Sequence, residues 1–212
     1  MLSEDHLSRV KILPRLGGSV PSDQEDRRSL VLRASTDSFA RLGYRGTSLN
    51  HICEGAGIAK PTIYHYFPSK AAILYQVMYD YMEALIHAVE VPERRQLLPP
   101  DRLLELMKDI VAGLDSHRGQ VRCFYENAVE FLSPPQRERI SELRQRYKQH
   151  LEYVLLAGRD SGQLVFDDVR MVRLGIFALC SWPYTWYRPG GPVTTDQIAT
   201  DSWNLVMSGI RA

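Results

Sequence analysis

Side chains suited to binding a nucleic acid are concentrated between residues 47 and 70. Two short helical patterns flank Gly57 there, which predicts a helix-turn-helix over about residues 48–67. The second helix of such a motif can enter the major groove of DNA, where its side chains reach base edges and phosphate oxygens. The candidate DNA-contacting residues of this stretch are Ser48, Lys60, Pro61, Thr62, Tyr64, His65, Tyr66 and Lys70.

These residues differ in the part of DNA that their side chains can contact. Lys60 and Thr62 stand near the start of the second helix, from which side chains can read base edges. The hydroxyl of Tyr64 suits a phosphate oxygen, and Lys70 adds a cation in the first turn of the following helix. Pro61 costs no hydrogen bond in a first turn, and its ring can contact a thymine methyl.

A second group of polar residues lies later in the chain, among apolar neighbours. Arg122, Tyr125 and Glu126 recur at helical spacing, so they form either a solvated helix face or contacts to a ligand. The many aromatic residues beyond residue 70 fit either a filled core or a lined cavity. The candidate ligand-binding residues are Met78, Met82, Arg122, Tyr125, Glu126, Phe177, Trp182 and Trp186.

The elements that position these residues are all helical. Ser22 and Glu25 form a capping-box pattern that starts a first helix, which Gly43 ends. Apolar residues recur at spacings of three and four over residues 69–90 and predict one long helix. Further helices are predicted over residues 101–115, 119–132, 135–159, 167–187 and 195–210, and no alternating strand pattern is found. The predicted organisation is a flexible arm (1–22), a DNA-binding domain (23–70) and a helical regulatory and dimerisation domain (71–212).

Composition excludes several classes of protein. The 212 residues are 44% hydrophobic and 24% charged, which is typical of a globular protein. No stretch of 18 apolar residues indicates a membrane span, and residues 1–20 lack the pattern of a signal peptide. The three cysteines, Cys53, Cys123 and Cys180, form no CxxC pair and fit the cytoplasm. The net charge is +1, but residues 23–70, with seven basic and five acidic side chains, carry +2.

No pattern of catalytic or metal-binding residues is found. The chain lacks a nucleophile elbow, a phosphate loop and a His-Glu-x-x-His sequence. His65 has no ligand-type residue four positions away, which argues against a metal site. We therefore predict no catalytic residue, metal or cofactor. Two other functions remain open on these grounds: a helical interaction or adaptor protein, and a small helical enzyme that uses the aromatic cavity.

The pattern from Arg27 to Ile73 resembles the TetR (tetracycline-repressor-like) family of transcriptional regulators. It is carried by Phe39-Ala40, Gly43-Tyr44, Gly46-Thr47-Ser48, Ile52-Cys53-Glu54, Ala56-Gly57-Ile58, Thr62-Ile63-Tyr64-His65-Tyr66-Phe67 and Ser69-Lys70. The resemblance implies a three-helix DNA-binding domain, a larger helical regulatory domain, and a homodimer that binds a pseudo-palindromic operator. It also implies repression, and DNA contacts by Thr47, Lys60, Thr62, Tyr64, His65 and Lys70.

The sequence Trp186-Tyr-Arg-Pro-Gly-Gly191 resembles a subgroup of that family that often senses acyl-CoA thioesters. The face of Phe177, Ser181 and Thr185 is expected to lack the basic residues that such relatives offer. The effector class therefore stays open between a hydrophobic molecule and an acyl thioester, and its binding is expected to shift the helix over residues 69–90. The last two helices are expected to form the dimer interface through Val172, Ile176, Leu179, Arg188, Trp203, Val206 and Ile210.

Overall fold

A computed structural model of the chain describes residues 23–91 and 96–210, with only the backbone described for residues 23–26. These ranges contain no strand, which confirms the predicted all-α class. The predicted arm over residues 1–22, with the Ser22 cap, lies outside them. The helices are α1 (Asp23–Gly46), α2 (Leu49–Ala56), α3 (Lys60–Tyr66), α4 (Lys70–Glu90), α5 (Pro99–Ser116), α6 (Arg118–Tyr125), α7 (Pro134–Asp160), α8 (Val169–Ser181) and α9 (Thr195–Ile210), with 3-10 turns at Ala128–Phe131 and Trp182–Thr185.

The first three helices pack around a small apolar core. Phe39 on α1, Ile52 on α2 and Ile63 on α3 are all completely buried. The helical path of α1 is interrupted at Gly43, whose φ of 69° and ψ of 170° lie outside the helical region. Glycine adopts such a backbone readily because it has no Cβ, so the predicted end of the first helix coincides with this kink.

Helix α4 connects these three helices to the rest of the molecule. The side chain of Ser69 accepts a hydrogen bond from the Ala72 N–H at 3.1 Å and caps its first turn, as predicted. The apolar residues that predicted this helix are all buried: Ile73, Leu74, Val77, Met78, Tyr81, Met82, Leu85, Ile86 and Val89. The full apolar stripe therefore faces the protein interior.

The remaining helices form a bundle in which α6 and α7 pack on α4, and two of these remaining helices are shorter than predicted. The helix predicted over 119–132 breaks after Tyr125, because Asn127 adopts a left-handed backbone with a φ of 54°. The helix predicted over 167–187 ends at Ser181 and continues as a 3-10 turn, since Pro183 lacks the N–H that a helix interior requires. None of the helices in the described ranges is long and apolar enough to cross a membrane.

Candidate DNA-binding and effector sites

The helix-turn-helix is built by local hydrogen bonds. The Ser48 side chain accepts from the His51 N–H at 3.2 Å, and the Ser48 N–H donates to His51 Nδ1 at 3.3 Å, which closes a capping box at the start of α2. Gly57 ends α2 with a φ of 65°, and its N–H donates to the Glu54 carbonyl at 3.4 Å. The turn glycine identified in the sequence is therefore in the left-handed conformation that the turn needs.

Helix α3 presents most of the predicted DNA-contacting side chains to solvent. Ile63 is its only buried residue and fixes the helix on the core. Tyr64 is 48% exposed. The other candidates on this surface are exposed or half-buried, and they are Ser48, Lys60, Pro61, Thr62, His65 and Tyr66. The arrangement suits insertion of α3 into a groove with its polar tips outward.

Thr47 and Lys70 have positions that differ from the prediction. The Thr47 side chain is 2% exposed, and its hydroxyl donates to the Gly43 carbonyl at 2.8 Å, so it offers no surface for DNA. Lys70 Nζ donates to the carbonyls of Tyr44 at 2.8 Å and Thr47 at 2.6 Å. Burial lowers the Lys70 pKa. The Lys70 side chain therefore joins the link between α1 and α2 to the start of α4, while the Thr47 side chain bonds within the link and the end of α1.

A cavity of about 530 Å³ lies inside the helical bundle, and we call it the effector cavity. Its walls come from α4, α5, α6, α7 and α8 and are largely apolar or aromatic. They include Tyr81, Met82, Leu85, Ile110, Leu114, Val121, Phe124, Tyr125, Tyr147, Leu174 and Phe177. Size and lining are those of a small-molecule site.

Three of the predicted ligand-binding residues line the effector cavity, namely Met82, Tyr125 and Phe177. The other five do not. Met78 is completely buried in the core, and Trp182 and Trp186 are exposed on the surface. Arg122 and Glu126 line a neighbouring groove instead. Helical spacing alone could not distinguish the residues that line the cavity from those that do not, because adjacent faces of one helix line different cavities or pack in the core.

Four basic residues also line the effector cavity, and sequence reasoning missed them: Arg144, Lys148, Arg170 and Arg173. Arg173 donates to Glu152 at 2.7 Å and is 9% exposed. Burial lowers the Lys148 pKa, and the charges of Arg144 and Arg173 lower it further. Arg173 precedes Phe177 by one helical turn, so the expectation that this face lacks basic residues was wrong. Extending the helical pattern from Phe177 by one turn toward the N-terminus would have identified Arg173.

Helix α6 touches both the effector cavity and the DNA-binding helices. Val121, Phe124 and Tyr125 line the cavity. On another face, Arg122 Nη1 donates to the carbonyls of Ala40 at 3.0 Å and Arg41 at 3.1 Å, in the last turns of α1, and its Nε pairs with Glu126. A ligand that displaces α6 therefore moves a helix that is hydrogen-bonded to α1.

Two close approaches show how tightly α6 packs on α1. A Cβ atom at Gly119 would collide with the carbonyl oxygen of Thr36, so the two helix backbones meet with no side chain between them. A Cβ atom at Gly43 would lie 2.6 Å from Glu126 Oε2. The contact depends on glycine at both positions.

The predicted dimer residues divide into two sets. Ile176 is completely buried and Ile210 is 8% exposed, so both belong to the core of the protomer, a correction to the prediction. The other predicted dimer residues are exposed to solvent or half-buried, and they are Val172, Leu179, Arg188, Trp203 and Val206. Further large apolar residues on or near α8 and α9 are exposed, namely Met171, Leu174, Trp182, Trp186 and Leu205. Such a concentration is typical of an interface.

The buried thiols and the possible metal ligands among the described residues form no reactive site. Burial raises the pKa of the Cys123 and Cys180 thiols to about 12, which keeps them protonated and unreactive near neutral pH. Within residues 23–91 and 96–210, no three His, Cys, Asp or Glu side chains are grouped closely enough to hold a metal ion.

An exposed recognition helix, positioned by a capped helix-turn-helix and joined to a bundle with an internal cavity, defines a DNA-binding transcriptional regulator. The model of bacterial regulatory proteins of the tetR family matches residues 31–77. The model of the tetracyclin repressor-like C-terminal domain matches residues 96–210, more than half of the chain. The chain belongs to the TetR family, a family of transcriptional regulators of the repressor type, and is not an enzyme.

Similar proteins of known identity agree with this assignment. The transcriptional repressor KstR2 of Mycobacterium tuberculosis is 28% identical over 199 residues, which cover 93% of this chain and 98% of KstR2. The solved structure of that ketosteroid transcriptional regulator superposes with a TM-score of 0.81 at 28% identity, covering 93% of this chain and all of that one. AibR, solved with isovaleryl coenzyme A and operator DNA, shares the fold, with a TM-score of 0.75 at 21% identity, covering 84% of this chain and 97% of AibR.

Proposed function

We propose that the chain represses transcription in the cytoplasm as a homodimer, binds a pseudo-palindromic operator, and leaves DNA when a small hydrophobic or acyl-thioester effector fills the effector cavity. One observation carries the proposal. Helix α6 supplies Val121 and Phe124 to the cavity wall and holds the last turns of α1 through Arg122. The same short helix therefore adjoins both the ligand site and the DNA-binding helices.

The DNA half of the proposal rests on α3. Lys60, Tyr64 and His65 are exposed on a helix whose opposite side is fixed by Ile63. A dimer reads two half-sites only when its recognition helices are about 34–36 Å apart, one turn of the duplex. A displacement of α6 or α4 that changes this separation weakens binding to the operator, and a coupling of about 1–3 kcal/mol corresponds to a 5–150-fold loss of affinity.

The effector half rests on the lining of the cavity. Aromatic walls favour an apolar body, while Arg144, Lys148 and Arg170 favour a negatively charged group. The fourth basic residue, Arg173, is paired with Glu152, so its charge is balanced within the protein. An acyl thioester of coenzyme A has both features, an acyl chain and phosphates. AibR, which shares the fold, was solved with isovaleryl coenzyme A, a compound of this kind.

The homodimer rests on the exposed apolar residues of α8 and α9. Leu179 is 37% exposed and Leu205 is 65% exposed, on the two helices that we propose to meet their counterparts in a four-helix interface. Analytical ultracentrifugation should show a dimer for the wild type. Leu179→Asp with Leu205→Asp should shift the protein to a monomer with an unchanged circular dichroism spectrum, and a variant that stays dimeric would place the interface elsewhere.

The operator can be found without knowing its sequence. Random duplexes are selected on the purified protein and sequenced, and we expect an enriched site with two-fold symmetry. Fluorescence anisotropy then measures affinity for that duplex with octanoyl-coenzyme A, free coenzyme A or octanoate. The thioester should weaken DNA binding about 5–150-fold.

Variants test the effector site within the same assay. Lys148→Gln with Arg170→Gln should reduce the response to the thioester and leave affinity for DNA alone unchanged, and Arg137→Gln, an exposed arginine of α7, is the matched control. An unsymmetrical selected site would contradict the operator proposal. A thioester response that is absent, or equal in both variants, would contradict the effector proposal.

A further inference from the structure

A second cavity, of about 520 Å³, lies where α1 meets the regulatory helices, and we call it the junction groove. Four arginines line it: Arg41 from α1, Arg118 and Arg122 from α6, and Arg188 from the segment after the second 3-10 turn. Leu114 and Val121 line both this groove and the effector cavity. The junction groove and the effector cavity thus lie on neighbouring faces of α6 and have these two residues in common.

The charge of the junction groove is strongly positive. Among the described residues, four arginines and one acidic residue, Glu126, line the groove, which gives these side chains a formal charge of +3. Glu126 is engaged by Arg122. Arg188 Nη1 donates to the carbonyls of Trp186 at 3.4 Å and Tyr187 at 3.2 Å, contacts that orient its guanidinium without neutralising it.

Two of the four arginines are available for a ligand. The guanidinium groups of Arg41 and Arg118 make no hydrogen bond or ion pair in the part of the chain that the structure describes, although the backbone carbonyl of Arg41 accepts from Arg122. Arg118 lies close enough to Tyr187 for its charge to act on that phenol. Like charges that line one groove repel each other, and an anion of matching charge relieves that repulsion.

We propose that the junction groove binds an oligophosphate, an anion with two or more adjacent phosphate groups. A guanidinium donates two parallel hydrogen bonds to a phosphate, and this geometry makes arginine the usual residue for such anions. Arg41 belongs to α1, whereas Arg118 and Arg188 belong to the regulatory part. An oligophosphate held by all three joins the DNA-binding helices to the regulatory helices.

The oligophosphate has two possible sources with the same chemistry. It can be a free molecule, or it can be the phosphate-bearing end of a coenzyme A thioester whose acyl part occupies the neighbouring effector cavity. Because Leu114 and Val121 line both the groove and the effector cavity, the two ends of one thioester molecule would lie close together in the second arrangement. Both sources require the same arginines, so one set of variants tests the site and a competition experiment identifies the source.

Isothermal titration calorimetry of the full-length protein with inorganic pyrophosphate, at constant ionic strength and without magnesium, tests the site. We expect saturable binding to the wild type. Arg118→Gln and Arg41→Gln should each weaken it at least tenfold, and Arg137→Gln, the exposed control on α7, should leave it unchanged. Thermal unfolding of each variant checks that it is folded. Absence of saturable binding, or equal weakening by Arg137→Gln, overturns the proposal.

Two further measurements identify the source of the oligophosphate and test whether these arginines contact DNA instead. If coenzyme A competes with pyrophosphate and itself binds more weakly to Arg118→Gln, the phosphates of the thioester occupy the groove. If pyrophosphate still binds to the protein saturated with coenzyme A, the ligand is a free oligophosphate. The salt dependence of binding to a random duplex should be the same for Arg118→Gln and the wild type. A slope reduced by about 1 would assign Arg118 to a DNA phosphate and overturn the proposal.

Discussion

The guanidinium of Arg122 donates a hydrogen bond to the carbonyl oxygen of Ala40 at 3.0 Å, across 82 positions of the sequence. The same nitrogen also donates to the carbonyl of Arg41. These carbonyls belong to the last turns of α1, just before the kink at Gly43, where helical hydrogen bonding is interrupted. One side chain of the regulatory part thus completes the hydrogen bonding of a DNA-binding helix.

Replacement of Arg122 tests this connection. Arg122→Ala removes charge-assisted hydrogen bonds to two carbonyls, so we expect the free energy of unfolding to fall by about 1–3 kcal/mol. The ratio of operator affinities without and with effector should also move toward one, because α6 no longer holds α1. Urea unfolding and anisotropy titrations measure the two effects. An unchanged affinity ratio would show that the signal does not depend on the Arg122 hydrogen bonds.

Substitutions in the recognition helix α3 test which side chains recognise DNA bases. Lys60→Ala should change which bases are enriched in a selection experiment, because Lys60 stands at the start of α3, where side chains reach base edges. Tyr64→Ala should instead weaken binding to all duplexes by a similar factor, since we expect its exposed phenol to contact the DNA backbone. Selection of random duplexes and anisotropy distinguish these outcomes. Identical enriched sites for Lys60→Ala and the wild type would remove Lys60 from base reading.

Lys70 is expected to act on the protein rather than on DNA. Lys70→Met deletes the donors to the carbonyls of Tyr44 and Thr47, so we expect a loss of about 1–3 kcal/mol in the free energy of unfolding. DNA affinity should fall only as far as the start of α4 becomes disordered, with an unchanged salt slope. A slope lower by about 1 would instead indicate a direct phosphate contact by Lys70.

His117 makes the junction of α5 and α6 sensitive to acid. Burial lowers its pKa below the ordinary value of 6.5, so the folded protein favours the neutral ring while the unfolded chain still takes up a proton near pH 6.5. The unfolded state therefore binds more protons as the pH falls below about 6.5, and stability decreases. In urea unfolding at pH 7.5 and 5.5, His117→Asn should lose less stability than the wild type. Equal losses would show that other groups set the acid dependence.

The sequence predicts those features that depend on local pattern. The stripe from Ile73 to Val89 repeats at helical spacing over its whole length, so the long helix and its buried face follow from it. Gly57 and Ser48 likewise have local signatures, since a left-handed turn and a helix cap depend on residues only a few positions away. The exposed face of α3 follows from the same periodicity.

Features that depend on contacts distant in the chain could not be predicted in this way. Thr47 looks like a surface residue by type, but in the folded protein it is buried and its hydroxyl donates to the Gly43 carbonyl. Arg122 resembles a ligand contact by its neighbours, while its partners lie about eighty residues earlier. The basic residues of the effector cavity come from α7 and α8 and converge only when these helices pack together.

Gly119 has a consequence for how the protein can diverge or be redesigned. Because the backbones of α6 and α1 meet there without an intervening side chain, no rotamer change can absorb a shift of α6. Residues that line the effector cavity, such as Met82 or Phe177, can therefore be exchanged to accept a new compound while this rigid mechanical link is retained. Under the proposed function, the preference for an effector and the preference for an operator can therefore be altered by separate substitutions.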